Sequence, residues 1–386
     1  MSATAGIGAL RDWLVGSALP LWADKGVDRA QGGFYERLNR DLTPYEEPRR
    51  ARLVSRQIYC FAAGHDLGWD GPAEALIAHG LDFLVNRLLT DDGTVIMAVS
   101  IDGSLTRTDY DPYDYAFVLF ALAAAAKTLN ERTNLPALAQ AVRERLITNW
   151  KHPVIGFSEA LPLKSNPHMH LLEAFLAWAE LVGDEDPKWQ ALADEMVELA
   201  RTRLIDAKTG ALSEFFDADW QALPDGQGRV VEPGHQLEWA WLLMRWAQIK
   251  GDRTAFDLAW RLVEIAETHG INAQMVAFNA LDDHFRVRDA EAKLWPQTER
   301  LKALHTLSFH PMASTEQKAF AESRMDEAIA GLQTYFLDAP AGLWHEVMRA
   351  DGTLDDQPTR ASSLYHITCA IATLSLTGPT ALKETA

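Results

Sequence analysis

Only two cysteines, Cys60 and Cys369, occur in 386 residues, so no disulfide framework can hold this chain together, as fits a reducing compartment. Basic residues are in the minority. Lys and Arg number 36 against 54 Asp and Glu, and the net charge of -18 repels phosphate backbones and argues against nucleic-acid binding. That argument does not extend to small uncharged ligands. Long apolar runs are missing too: the longest, Ala116 to Ala126, is far short of the roughly 20 residues that span a bilayer, so no membrane partner is expected. The opening MSATAGIGALRDWLVGSALPLW has neither the basic start nor the continuous apolar stretch of a signal peptide, and a cytoplasmic location is expected. The sequence holds no Walker A loop and no GxGxxG, which leaves nucleotide and dinucleotide cofactors without support. No cofactor is expected.

What is present reads as a globular, mostly helical protein. Apolar residues are 48% and charged residues 23% of the chain. Apolar positions recur at three- and four-residue spacing in Ala73–Leu89, Ala116–Leu129, Leu135–Trp150, Met169–Leu181, Trp189–Leu204, Leu237–Ile249, Ala255–Ala266 and Phe320–Tyr335. Between helix pairs a short motif returns: a small residue, an apolar residue, one more residue, then a carboxylate. It appears as Gly33-Phe34-Tyr35-Glu36, Gly156-Phe157-Ser158-Glu159 and Ala211-Leu212-Ser213-Glu214, in longer form as Gly342-Leu343-Trp344-His345-Glu346, and weakly as Gly93-Thr94-Val95-Ile96-Met97. Glu36 to Glu346 is 310 residues, or five steps of about 62, with Asn279–Arg286 as the poorly matching fifth unit. Length alone favours two domains. The repeat instead predicts one all-α domain over residues 1–386: an (α/α)6 barrel of six helix hairpins with short β segments at one mouth. An open solenoid is the alternative, disfavoured because neither end carries a polar capping repeat. The 13 tryptophans suit either a large core or the flat C–H faces of sugars.

Four groups near predicted helix starts could carry chemistry. Arg56 and Tyr59 are three apart, hence neighbours on one helical face, and a positioned arginine can hold an oxyanion. Asn166-Pro167 is a helix-opening pair, which leaves His168 and His170 to be explained. His235 and Glu238 are again three apart, a spacing expected to let the carboxylate orient the imidazole and raise its pKa, with Arg229 just before them. His366 follows Ser362, Ser363 and Tyr365, while Trp295 and Glu299 add an aromatic ring and a carboxylate. A metal bound by His168, His170, His235 and Glu238 is one reading. Residues 168 and 170 diverge on a helix, however, and no HExxH or CxxC occurs, so acid–base chemistry by imidazoles without a metal is preferred.

With these residues in view, the chain resembles the N-acylglucosamine 2-epimerase superfamily, which also includes cellobiose 2-epimerases, mannose isomerases and the sulfoquinovose isomerase type. The resemblance runs from Gly33-Phe34-Tyr35-Glu36 to Tyr365-His366. Its strongest parts are Arg56-Gln57-x-Tyr59, Asn166-x-x-Met169-His170, Gly234-His235-x-x-Glu238-Trp239 and Trp295-Pro296-Gln297-x-Glu299. It implies an (α/α)6 barrel that isomerises sugars without a required metal. By resemblance, His366 moves the proton at C2 of the open-chain sugar, His235 is the second acid–base group oriented by Glu238, His170 lies near O1 and the ring oxygen, and Arg56 steadies the enediolate. Asn166, Arg229, Trp295, Tyr59 and Glu299 are expected to line the substrate, and the role of His168 stays open.

Removing an aldose C2 proton puts charge on O1, so the barrier calls for a base and a fixed cation. One base returning the proton to C1 gives a ketose, and two bases on opposite faces give an epimer. Interconversion of D-mannose and D-fructose is expected, with 2-epimerisation of D-mannose and D-glucose as the alternative. A sugar phosphate is a variant, since Arg49, Arg50 and Arg52 could meet it. A glycoside hydrolase would need two carboxylates across the bond rather than histidines, and a non-catalytic sugar-binding protein is the last reading. A monosaccharide partner and a monomer or homodimer are expected.

Overall fold

The computed structural model describes residues 3–101, 104–107, 109–129, 134–224 and 226–376. Its helices are α1 (Ala3–Trp13), α2 (Leu19–Lys25), α3 (Ala51–Asp66), α4 (Ala73–Phe83), α5 (Pro112–Leu129), α6 (Leu135–Trp150), α7 (Ser165–Val182), α8 (Lys188–Leu199), α9 (Pro233–Lys250), α10 (Arg253–His269), α11 (Trp295–Phe309), α12 (Thr315–Thr334) and α13 (Ala361–Leu374). Helices α3, α5, α7, α9, α11 and α13 pack side by side, and α13 returns to α3, so the inner ring is closed. Helices α4, α6, α8, α10 and α12 form the outer layer, and α1 completes it by packing on α12 and α13. The expected (α/α)6 barrel is the observed fold.

Burial explains which helix sits where. An inner helix has neighbours on every side, and α5 is buried almost continuously from Asp114 to Ala123. Outer α10 buries Ala255, Phe256, Ala259, Leu262, Val263 and Ala266, a three- and four-residue stripe, and turns its polar face to solvent. No helix among the described residues is long and apolar enough to cross a membrane.

The recurring motif is the device that aims the inner helices. Its apolar residue closes a backbone bridge to the end of the preceding outer segment, at Val27–Phe34, Leu89–Val95, Lys151–Phe157, Ile205–Leu212 and Ile271–Ala277. The polar residue two positions later reaches the chain just before an inner helix. Glu36 accepts from Arg50 N–H at 3.1 Å, Glu159 from Lys164 N–H at 2.8 Å, Asn279 from Lys293 N–H at 2.9 Å and Glu346 from Arg360 N–H at 2.8 Å. The fifth unit is therefore Met275–Asn279, not Asn279–Arg286. The motif is hard to see there because Met275 takes the left-handed conformation (φ 63°) that Gly93, Gly210 and Gly342 adopt in other units, and an amide replaces the carboxylate. Two-residue strands join neighbouring units, and Arg37–Leu38 pairs antiparallel with Thr359–Arg360 across the seam between first and last. All six inner helices thus present their N-terminal turns to one mouth.

Candidate active site

Into that mouth the inner helices project Arg56 from α3, Tyr113 from α5, Asn166 and His170 from α7, His235 and Glu238 from α9, Trp295 from α11 and His366 from α13. Together they line a cavity of about 370 Å³. The two histidines flanking Trp295, with ring centroids 5.0 Å (His235) and 5.7 Å (His366) from it, differ in charge. His366 Nδ1 lies 2.9 Å from Glu299 Oε1, which leaves Nε2 as the ring nitrogen free to act. Burial, followed by the cations Arg56 and Lys302, holds the His366 pKa well below the ordinary imidazole value, so the ring is neutral. His235 Nδ1 lies 2.9 Å from Glu214 Oε2 and 3.4 Å from Glu232 Oε2. Burial alone would lower its pKa, but these two carboxylates outweigh that and raise it to about 10. A neutral imidazole and a cationic one therefore face the same space.

Arg56 supplies the fixed charge. Its guanidinium is 6% exposed, donates to Tyr113 Oη at 2.6 Å and lies 4.0 Å over the Phe117 ring. Among the described residues no carboxylate stands within 4.0 Å of it, so its charge is uncompensated at the cavity wall. His170 lies 3.3 Å from Glu173 Oε2, and its pKa falls to about 4 through burial despite that contact, so it is a neutral hydrogen-bonding group. Asn166 Oδ1 has no protein partner and lines the cavity.

Four expected positions differ. Glu238 does not orient His235. It lies about 4.5 Å deeper along the helix, three residues at 1.5 Å each, where it approaches His170 Nδ1 at 3.9 Å and Lys302 Nζ at 4.0 Å. Both of its carboxyl oxygens lack a hydrogen bond, and burial together with the facing Glu299 pushes its pKa well above the usual range, which favours the protonated form. Glu299 is fully buried behind His366, held by Lys302 Nζ at 2.6 Å, and fixes the His366 ring from behind instead of lining the cavity. Tyr59, one turn below Arg56, faces a separate cavity of about 180 Å³ that also includes Phe120 and Cys369. Arg229 lies outside on a turn, paired with Asp283 at 2.8 Å, and does not line the cavity.

The residues missed in the sequence are Glu214, Glu173, Tyr113 and Lys302. Glu214 carried a signal, as the carboxylate of a repeat motif, and Lys302 is three residues beyond Glu299 on one helical face. Replacing Glu214 with Gln removes the charge that keeps His235 cationic. The alkaline limb of the pH–rate profile should then move down toward neutral pH, and titration of the His235 ring by NMR checks it.

His168 has a structural role. In the tautomer that satisfies both ring nitrogens, Nδ1 donates to Lys164 O at 2.9 Å and Nε2 accepts from Phe157 N–H at 3.0 Å. A Cβ on Gly156 (φ +78°) would come within 3.1 Å of that ring, so glycine is needed beside it. His168 is thus no partner for His170 in a metal site. Two other groups bring ligand atoms within 4.8 Å of one another, His170–Glu173–Glu238 and Glu238–Glu299–His366, with the Lys302 ammonium beside both. Burial lowers the pKa of His168, His170 and His310 to about 4 in the folded state, below the ordinary 6.5. Between these values the unfolded chain binds more protons, so stability is lost as pH falls from 6.5 toward 4. Thermal melting across that window should show a falling midpoint; a flat profile would refute buried neutral rings.

Comparison with known proteins places this geometry among sugar-converting enzymes. The profile of N-acylglucosamine 2-epimerase (GlcNAc 2-epimerase) matches residues 33–370. A mannose-6-phosphate isomerase of Rhizobium meliloti (strain 1021) is 43% identical over 373 residues, 94% of this chain and 95% of the relative. A cellobiose 2-epimerase of Bacteroides fragilis is 22% identical over 89% of this chain and 91% of its own. The crystal structure of a D-mannose isomerase superposes with a TM-score of 0.83 at 17% identity, over 95% of this chain and 96% of that one.

Proposed function

This chain belongs to the N-acylglucosamine 2-epimerase family, an enzyme that isomerises or epimerises sugars, and on that premise we propose that it interconverts the aldose mannose and the ketose fructose, free or phosphorylated, through an enediolate. The observation that carries this reading is neutral His366, anchored through Nδ1 by Glu299, sharing one cavity with unpaired Arg56 and cationic His235. His366 Nε2 takes the C2 proton of the open-chain sugar. The C–H electron pair becomes the C1=C2 bond, and the carbonyl pair moves to O1 as negative charge beside Arg56. Cationic His235 donates to the oxygen that gains charge and recovers a proton from O2, while His366 returns its proton to C1, giving the ketose. His170 and Asn166 hydrogen-bond the sugar, and Trp295 packs against its C–H face. Each step is supplied by side chains, so activity should survive EDTA; loss with EDTA and return with a divalent ion would overturn metal independence.

The alternative, epimerisation at C2, uses the same pair differently: His366 removes the proton on one face and His235 delivers one on the other. The 43% identical relative named as an isomerase favours the first reading, against 22% for the named epimerase. Incubation with mannose and with mannose 6-phosphate in deuterated water, followed by NMR, decides. A ketose product supports isomerisation, its C1 deuterium reporting how far the proton on His366 exchanges with solvent, and a glucose-configured product without ketose supports epimerisation.

A further inference from the structure

We propose that the cavity extends into a second compartment and binds a phosphate monoester at the far end of the sugar chain, with Arg360, shared by both compartments, and Lys293, on the wall of the first, as its cations. This rests on the sugar-isomerase reading above. Beside the catalytic cavity of about 370 Å³ lies another of about 440 Å³, which shares Arg56, Tyr113, Arg360 and Ser362 with it. The first alone is already within the ~300–1,000 Å³ of small-molecule sites, so a free hexose does not need the second.

Charge compensation separates the cations here. The arginines expected from the sequence to meet a phosphate are committed elsewhere: Arg49 is buried against Asp28 at 2.9 Å, Arg50 pairs with Glu36, and Arg52 pairs with Asp114 at 2.6 Å and Asp111 at 2.8 Å. Arg37 pairs with Glu47 at 2.9 Å. Arg360 and Lys293 have no carboxylate within 4.0 Å among the described residues, yet both line the cavity. The acids that act on these two cations, Glu346 on Arg360 and Glu232 on Lys293, are engaged, and Glu36 and Glu47 on the wall of the second compartment pair with Arg50 and Arg37. Glu346 accepts from Trp344 Nε1 at 2.9 Å, Arg360 N–H at 2.8 Å and Ser363 Oγ at 2.7 Å, and Glu232 faces His235 at 3.4 Å. Helix α13 begins here; its Ala361 N–H is taken by Glu36 O at 2.9 Å, and Ser362 lines both compartments. A dianion with several acceptor oxygens suits two unpaired cations and the Ser362 hydroxyl; a neutral hydroxymethyl group does not use them.

The test compares mannose 6-phosphate with mannose in the wild type and in Arg360→Gln and Lys293→Gln. We expect the phosphorylated sugar to be preferred, inorganic phosphate to inhibit competitively, and each variant to lower the ratio of kcat/KM for the phosphate ester over that for mannose by roughly tenfold or more. Mannose turned over with the phosphate ester not preferred, or a ratio unmoved in both variants, overturns the compartment and leaves the isomerase reading standing. If neither sugar is converted, the isomerase reading fails, and calorimetric binding of inorganic phosphate still decides the compartment: binding weakened by both substitutions supports it, and no binding overturns it.

Discussion

Replacing His366 with Ala is expected to lower kcat/KM by on the order of 10²–10⁴ while leaving the helical circular dichroism and melting temperature near those of the parent, because a general base contributes about that factor. The side chain ends at the cavity wall and its loss opens space that water can fill. A rate within tenfold of the parent would remove His366 from the reaction. The same assignment fixes a pH profile. The base works when neutral, and its folded pKa lies well below the ordinary 6.5, so activity should persist below pH 6.5 and fall only as pH drops through that depressed value. On the other side, His235 donates only while protonated, so the alkaline limb should appear near its pKa of about 10. A plateau that broad distinguishes an imidazole pair with divergent environments from two exposed histidines.

Lys302→Met is the second large effect. The ammonium is fully buried, 2.6 Å from Glu299 and 3.8 Å over the Trp241 ring. Removing it strands a carboxylate beside Glu238 in the barrel axis, and breaking one half of a buried pair costs about 3–5 kcal/mol. The orientation of His366 through Glu299 goes with it, so kcat should fall along with the melting temperature. The double replacement Lys302→Met with Glu299→Gln should recover part of the stability, since the Glu299 charge goes with the ammonium while Glu173 still loses its cation, yet remain slow. Recovery of both properties would show that the lysine serves folding alone. Calorimetry and steady-state kinetics on the same preparations check it.

Much of the architecture could be read from residue order. Outer α6 occupies the predicted Leu135–Trp150, because an amphipathic stripe between a turn and a tryptophan has few other options. The motif carboxylates were legible as a repeat, but their task of holding the chain before each inner helix was not, since it depends on which loop folds back onto which helix. The histidines were found because they open helices. Their carboxylate partners were misassigned for a geometric reason: i,i+3 spacing puts His235 and Glu238 on one face, but on a helix that runs down a barrel axis one turn separates the mouth from the interior. The same displacement hides Tyr59 below Arg56. Glu214 and Glu299 reach the histidines from other elements, and no local spacing reveals such contacts. Most tryptophans proved to be core: Trp22, Trp178, Trp189, Trp220, Trp239, Trp241 and Trp344 are almost wholly buried, and Trp295 is the tryptophan lining the catalytic cavity.

The seam at residues 37–38 and 359–360 also sets an order of events. Synthesis delivers Arg56 early and His366 near the finish, and α1 waits for α12 and α13 before its apolar face is covered. A partly made chain therefore holds Arg56 without His366, and its earliest helix stays exposed until the latest ones arrive. Such long-range docking slows folding, and on the proposed mechanism it makes catalytic competence coincide with closure, so truncated products are expected to be inert.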